Sequence, residues 1–186
     1  MTDLTPRFTS LNGLKSTTVL QGEVHVSGDP AIEFTTVLGS CVSTCLYDPV
    51  ARIGGMNHFL LAEPLRHEEG MEFDEHYGVF LMELLVNRMI GAGGMKSRFR
   101  ARLYGGARMN QSGHSIGSVN AAFARTFLER ERIEIAFADL GGNMARRLHL
   151  RPASGQVRCR TVDASKAPAT QAFRRPERAS GDVEFF

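Results

Sequence analysis

The sequence predicts one α/β domain in which helices pack on a mixed sheet. Three observations favour this class. The stretch before residue 62 contains short runs with the composition and apolar alternation of strands. A helical repeat of apolar residues begins at about residue 74. The segments that follow alternate between predicted helix and predicted strand, and the last two are strand segments that predict a hairpin.

The first half of the chain contains four predicted strands. The first is TTVLQGEVHVSG, which alternates between apolar and polar residues and ends at the turn signal Gly28-Asp29-Pro30. The second is IEFTTVL, which ends at Gly39-Ser40. The other two are CVSTCLY and IGGMNHFLL, joined by the turn-rich segment DPVAR.

The second half begins with a predicted helix, FDEHYGVFLMELLVNRMIGAGG. Acidic residues at its start suit a helix N-terminus, and glycines from Gly91 onward end it. A strand, RARLYGGA, comes next, followed by the helix SVNAAFARTFLERER with Ser118 as its predicted cap. The strand IEIAFADL precedes the hairpin of RRLHLR and QVRCRTV.

Length and composition bound the organisation and the compartment. With 186 residues, the chain can form one domain with its own core. We predict a loose leader over residues 1–17, the domain over residues 18–163 and a flexible tail over residues 164–186. A net charge of +2 and the lack of a long apolar run predict neither nucleic-acid binding nor membrane insertion. An odd number of cysteines, 3, without a visible signal peptide predicts the cytoplasm.

The cysteines admit several chemistries. A zinc site would need a second close pair of ligands besides Cys41 and Cys45, and the sequence has none. A disulfide between these two residues is disfavoured because, four residues apart on one strand, they would lie roughly 13 Å apart. Neither GAGGMK nor YGGARM has the spacing of a nucleotide-binding loop. We therefore expect no metal and no cofactor, which leaves a nucleophilic cysteine or a purely structural one.

Strand register offers Cys41 a base. If residues 48–51 form the hairpin loop, Tyr47 pairs with Arg52. The same register places Cys41 directly opposite His58, with Cβ atoms about 4.5–5.5 Å apart. A one-residue slip would place the two side chains on opposite faces. The alternative interpretation is a small buried cysteine and a histidine that is only a satisfied polar group.

Several separated motifs resemble a known family. TTVLGSCVSTCLYDP, GGMNHFLL, YGGARM, IGSVN and DLGGNMARR are similar, in this order, to the CheD chemoreceptor glutamine deamidases of bacterial chemotaxis, and the likeness covers roughly residues 22–162. The resemblance implies a layered α/β sandwich with a largely antiparallel sheet. It also implies a cysteine hydrolase that acts through a thioester on the cytoplasmic domains of methyl-accepting chemoreceptors. Family members also bind the phosphatase CheC, a partner for which the sequence holds no separate signal.

The resemblance selects three catalytic residues. The family's nucleophile follows Gly-Ser, which selects Cys41, and its histidine selects His58. Its threonine lies six residues before the cysteine, which selects Thr35, with Thr36 as the close competitor. Candidate substrate or oxyanion contacts, for which turn and capping roles are equally good explanations, are Ser40, Asn57 and Asn120.

The expected mechanism begins with an ion pair. His58 takes the proton of Cys41, and the imidazolium lowers the pKa of the thiol. Two other functions stay open at this point: a non-catalytic module that docks CheC or a receptor, and a cysteine hydrolase that acts on another acyl substrate.

Overall fold

A computed structural model of the chain describes residues 9–11, 13–61, 75–109 and 116–163. The strands of this part are β1 (Thr9–Leu11), β2 (Leu14–Thr18), β3 (Val24–Ser27), β4 (Ile32–Leu38), β5 (Val42–Asp48), β6 (Ile53–Asn57), β7 (Arg100–Gly105), β8 (Glu134–Leu140), β9 (Ala145–Arg151) and β10 (Gln156–Val162). The helices are α1 (Glu75–Gly91) and α2 (Ile116–Arg130), with a 3-10 turn at Lys96–Arg98. The tail predicted over residues 164–186 lies outside the described residues.

The described strands form two five-stranded sheets. The first has the order β1-β2-β4-β9-β10 and the second β3-β6-β5-β7-β8. Each sheet has one parallel pair, β2 with β4 and β7 with β8, and its other neighbours are antiparallel. Helix α2 connects the parallel strands β7 and β8, as a parallel pair requires a crossover. The predicted class, an α/β fold with mixed and largely antiparallel sheets, is confirmed.

Two clusters of buried apolar side chains separate three layers. One lies between the two sheets and includes Phe34, Leu38, Met56, Tyr104 and Leu148. The other lies between the second sheet and the helices and includes Leu46, Phe59, Leu85, Leu103 and Leu128. Each fully buried side chain of this size contributes roughly 1.5–3 kcal/mol relative to an exposed one. The second sheet is therefore buried on both faces, and its two faces serve different clusters.

The segment TTVLQGEVHVSG forms part of two strands. Its start belongs to β2 in the first sheet and its end to β3 in the second, so the prediction of one continuous strand is wrong. Gly22 allows the break because it takes a left-handed φ of 87° in the turn. Most of β2 lies within the predicted leader, and residues 15–18 of β2 pair with β4.

Helix α1 matches its prediction closely, whereas α2 begins two residues before the predicted cap. Because α2 starts at Ile116, Ser118 lies inside the first turn and is not the N-cap. The buried face of α2 includes Asn120, Ala121, Ala124 and Leu128, a spacing of helical period. This face packs on β5, β7 and β8 of the second sheet.

The β5–β6 hairpin has a register two residues away from the predicted one. Cys45 pairs with Met56 and Asp48 with Ile53, and an isolated bridge joins Val42 to Phe59. The prediction that Tyr47 pairs with Arg52 and Cys41 with His58 is therefore wrong. A shift of two residues preserves the face of each side chain, since strand side chains alternate with a period of two.

Asp48 explains the shift. The sequence prediction made it the first loop residue, but it is the last residue of β5 and its carboxylate organises the turn. It accepts hydrogen bonds from the N–H groups of Val50 at 2.9 Å and Ala51 at 3.0 Å, and it forms an ion pair with Arg98 at 2.8 Å. Burial acts to raise the pKa of Asp48, but the Arg98 guanidinium and backbone N–H groups outweigh it and hold this pKa well below its usual range.

Candidate active site

The chain before β5 is fastened at three consecutive carbonyl groups. Gly39 accepts from the Ala107 N–H at 2.9 Å, and Cys41 accepts from the Gly106 N–H at 2.8 Å. Between them, the Ser40 carbonyl accepts from the Asn120 side-chain amide at 2.9 Å. The segment that carries the cysteine is thus bound to the end of β7 and to α2.

Glycine is required where β7 meets this segment. Gly105 has a φ of +107°, and a Cβ built there would lie 2.2 Å from the Cys41 carbonyl oxygen. The YGGARM motif therefore positions Cys41 by close backbone approach, and any side chain at Gly105 would displace it.

Asn120 links the segment just before β5 to the segment that follows β6. It is fully buried, and its Oδ1 accepts from the Leu61 N–H at 2.9 Å while its Nδ2 donates to Ser40. Both ends of the amide are engaged in hydrogen bonds within the fold, which favours a positioning role for Asn120 over a direct substrate or oxyanion contact. These two bonds position the Cys41 segment relative to the segment that follows His58.

Asn57 faces away from the inter-sheet layer. Its Oδ1 accepts from the Thr44 N–H at 2.7 Å, and its Nδ2 lies 3.2 Å from the Met82 sulfur of α1. It is fully buried on the helix side, whereas its neighbour His58 points toward the first sheet. This position favours a structural role for Asn57 over a substrate or oxyanion contact, because adjacent strand residues point to opposite faces.

His58 is buried, and its ring is held from the first sheet. Thr36 Oγ1 lies 2.9 Å from His58 Nδ1 and donates its own proton to the Val19 carbonyl at 2.8 Å. A hydroxyl has one proton to donate, so Nδ1 must be the donor in its contact with Thr36. This arrangement selects the tautomer with the proton on Nδ1. It leaves the Nε2 lone pair available as a base, and Nε2 has no hydrogen-bond partner among the described residues.

The structure places Thr36, and not Thr35, against the histidine. Along β4 the inward side chains are Phe34, Thr36 and Leu38, which are buried. Thr35 points the other way, and its Oγ1 lies 3.4 Å from Oγ1 of Thr18. These contacts favour Thr36 over Thr35 as the residue that orients the ring. The alternation of apolar residues in IEFTTVL contained the signal, since it places Thr36 on the face of Phe34.

Cys41 and His58 share the inter-sheet face but are not directly opposite. Cys41 lines the same cluster as Met56 and Leu60, the residues two positions either side of His58. Continuing the bridge of Val42 with Phe59 makes Cys41 and His58 diagonal neighbours. The Cα atoms of such neighbours lie about 7–8 Å apart, a separation that a long side chain such as imidazole spans.

Burial shifts the pKa values of both groups in the direction that favours their neutral forms. It raises the pKa of the Cys41 thiol to about 12, although the residue's own backbone N–H acts in the opposite direction. It lowers the pKa of His58 to about 4, against the raising effects of the Val19 carbonyl and Glu23. Both shifts act against the expected ion pair, in which an imidazolium would lower the thiol pKa.

The lowered pKa of His58 makes stability depend on pH. Between pH 6.5 and about 4 the unfolded chain binds a proton at this residue and the folded chain does not. Above pH 6.5 the neutral ring contributes its full share to the free energy of unfolding. We expect this free energy to fall by about 3 kcal/mol as the pH drops through this window. Denaturant titrations at about pH 7.5 and about pH 4.5 measure the change. His58→Gln should remove most of this dependence, and an equal loss in both proteins would contradict the assignment.

Two further groups of the site had no place in the sequence prediction. They are the Val19 carbonyl, which binds the histidine and threonine together, and Gln21, whose Oε1 lies 3.8 Å from Cys41 Sγ. Both come from the turn between β2 and β3. The prediction of one continuous strand through this region concealed that turn.

These observations define a class of protein: a two-sheet α/β domain in which a buried thiol shares a face with a neutral imidazole oriented by a threonine. The model of the CheD family, described as CheD chemotactic sensory transduction, matches residues 60–161. The chain belongs to the CheD family. The matched range begins after Cys41 and His58, so the likeness of the region that holds them comes from full-length relatives.

Several curated relatives carry the name probable chemoreceptor glutamine deamidase CheD. The protein from Zymomonas mobilis subsp. mobilis is 48% identical over 177 residues, covering 95% of this chain and 96% of its own. The protein from Caulobacter sp. (strain K31) is 45% identical over 174 residues, covering 90% and 91%. Among solved structures, the Bacillus licheniformis hypothetical protein YfiH is similar over 62% of this chain and 49% of its own, with 12% identity and a TM-score of 0.41.

The described part of the chain contains two α-helices. Neither α1 nor α2 is long and apolar enough to cross a membrane.

Proposed function

We propose that this protein deamidates glutamine side chains on the cytoplasmic domains of chemoreceptors, with Cys41 as nucleophile, His58 as general base and Thr36 as the residue that orients it. The observation that carries the proposal is the His58 ring, which presents an unpartnered Nε2 on the face occupied by Cys41. The names of relatives up to 48% identical support the substrate. A protein that acts on these domains would work in the cytoplasm.

The first half of the proposed reaction is acylation. His58 Nε2 takes the thiol proton as Cys41 Sγ bonds to the amide carbon of the substrate glutamine. The carbonyl π electrons move onto oxygen, where the backbone N–H groups of Ser40 and Cys41 are candidate donors. The imidazolium then gives its proton to the amide nitrogen, ammonia leaves, and a thioester remains.

The second half is hydrolysis. His58 takes a proton from water, the resulting hydroxide bonds to the thioester carbon, and the C–S bond breaks. The proton returns to the Cys41 sulfur and the product is glutamate. Because both resting groups are neutral, proton transfer accompanies the attack instead of preceding it. The same steps would cleave a glutamyl methyl ester, with methanol as leaving group.

Incubation with receptor cytoplasmic fragments, followed by peptide mass spectrometry, tests the function. Conversion of specific glutamines to glutamate supports the deamidase. Cleavage of the receptor chain would instead indicate a peptidase. An unchanged receptor that binds tightly would indicate a docking module, and the same assay repeated with CheC would show whether that protein is a partner.

Thr36 and Thr35 form a matched pair for the role of the hydroxyl. Thr36→Val removes the acceptor for the Nδ1–H of His58 and should lower kcat roughly 10- to 100-fold, with little change in receptor binding. Thr36→Ser keeps the hydroxyl and should retain most of the activity. Thr35→Val, whose side chain is on the opposite face, should be close to wild type.

A spectroscopic measurement separates positioning from a general loss of structure. In the wild type, the ¹⁵N shifts of His58 should report the tautomer with its proton on Nδ1. Thr36→Val should raise the fraction of the other tautomer, because only the Val19 carbonyl, 3.4 Å from Nδ1, then remains to hold this proton. Normal turnover in Thr36→Val, or a greater loss in Thr35→Val, would refute the role.

A further inference from the structure

Gln21 places a carboxamide beside the nucleophile. It lies in the turn between β2 and β3 and is half-buried. The Cys41 thiol donates toward its Oε1 across 3.8 Å. The contact joins residues 20 positions apart in the chain, so the folding of this turn against the start of β5 creates it.

The turn that carries Gln21 is bound to His58 on both sides. The Gly22 N–H donates to the His58 carbonyl at 2.7 Å, and the His58 N–H donates to the Glu23 carbonyl at 3.1 Å. The Val19 carbonyl accepts from the His58 ring and from Thr36. The backbone that orients the base therefore also determines where the Gln21 carboxamide lies.

A carboxamide suits a site whose charge changes during reaction. While the thiol keeps its proton, Gln21 Oε1 accepts from it. Once the sulfur is bonded to carbon, no S–H remains, and the negative charge lies on the substrate oxygen attached to that carbon. The Gln21 Nε2 carries two N–H donors, and rotation of the amide plane exchanges the positions of oxygen and nitrogen. A donor in this partly buried place is worth more than one in water.

We propose that Gln21 is a catalytic residue whose Nε2 donates a hydrogen bond to the oxyanion of the tetrahedral intermediate on Cys41. The Cys41 backbone N–H is the second donor of the proposed site. The proposal rests on the proposed deamidase function and adds a donor to it.

Gln21→Met keeps the approximate shape and removes both donors, and Gln21→Glu keeps the shape and places a negative charge there. Each should lower kcat on receptor fragments about 100-fold, with KM changed less than about threefold, as expected for a contact made only in the transition state. Alkylation of Cys41 by iodoacetamide forms no oxyanion, so its rate should stay within about twofold of wild type in Gln21→Met. Gln156→Met, which replaces an exposed glutamine on β10, is the control.

A second probe keeps the inference separate from the deamidase proposal. Butanal adds reversibly to a thiol and gives a hemithioacetal whose oxygen occupies the oxyanion position. Its protection of Cys41 against alkylation should be roughly 5- to 10-fold weaker in Gln21→Met. If wild-type protein modifies no receptor glutamine, the deamidase proposal fails, and the butanal measurement still decides the role of Gln21.

Three results would overturn the inference. Unchanged kcat and unchanged butanal protection in Gln21→Met would make the contact structural. Faster turnover in Gln21→Met would make Gln21 an internal mimic of the substrate. Conversion of Gln21 to glutamate in the wild type, absent from Cys41→Ala, would make it an internal substrate.

Discussion

Replacement of Cys41 by alanine is expected to lower receptor deamidation by at least about 1,000-fold, because it removes the sulfur on which we propose that the thioester forms. The fold should survive, since the substitution removes one sulfur from a cluster that Phe34, Leu38 and Met56 still fill. Peptide mass spectrometry of receptor fragments measures the rate, and circular dichroism with a denaturant titration checks the fold.

Cys45→Ala is the matched control. Burial raises the pKa of Cys45 to about 12, as it does for Cys41, so acidity does not distinguish the two thiols. Position distinguishes them, because Cys45 lies in the middle of β5 opposite Met56, whereas Cys41 lies just before the strand and beside Gln21. We expect Cys45→Ala to keep most of the activity. Comparable losses in the two variants would refute the assignment of the nucleophile.

Replacement of His58 by alanine should lower kcat/KM about 1,000-fold or more, since the neutral thiol then has no base. In the wild type, kcat/KM should depend on pH in an unusual way. His58 acts in its neutral form and its pKa is lowered to about 4, so the rate should fall only as the pH drops toward 4. A histidine of ordinary pKa would already lose activity near pH 6.5.

His149→Ala serves as the control for the base. This histidine lies on β9, opposite Thr35 of β4, and its Nδ1 is 3.1 Å from the Glu33 carboxylate. Its side chain is therefore on the face of the first sheet that points away from Cys41. Its replacement should leave both the rate and the pH profile unchanged. An acid limb near pH 6.5 in the wild type, or retained activity in His58→Ala, would show that another group is the base.

Local pattern was sufficient for much of the fold. The strand alternation, turn residues and helical repeat predicted β4, β7, β8, α1 and the β9–β10 hairpin, because each depends on signals within a few residues. The same pattern predicted that Cys41 and His58 share a face. Motifs that resemble the CheD family, confirmed by the comparisons, pointed to the biological role.

The error in the β5–β6 register came from side-chain hydrogen bonds that act across the fold. Asp48 was predicted as a loop residue because aspartate is common in turns, yet its contacts with Arg98 and the Met95 N–H keep it at the end of β5 and shift the register by two residues. Thr35 was preferred by counting from the cysteine, whereas the inward face of β4 carries Thr36.

By itself the sequence determined the class of fold, the elements with strong local periodicity and the identity of the two residues proposed to react. Tertiary structure alone decided which tautomer the His58 ring adopts, that burial raises the pKa of the Cys41 thiol and lowers that of the imidazole, and that Gln21 lies beside the sulfur. The physical reason is that these properties depend on which atoms of the two sheets meet in the buried layer between them. Residues 19–22, 36, 41 and 58 come from separate strands and turns, and only the packing of the sheets brings them together.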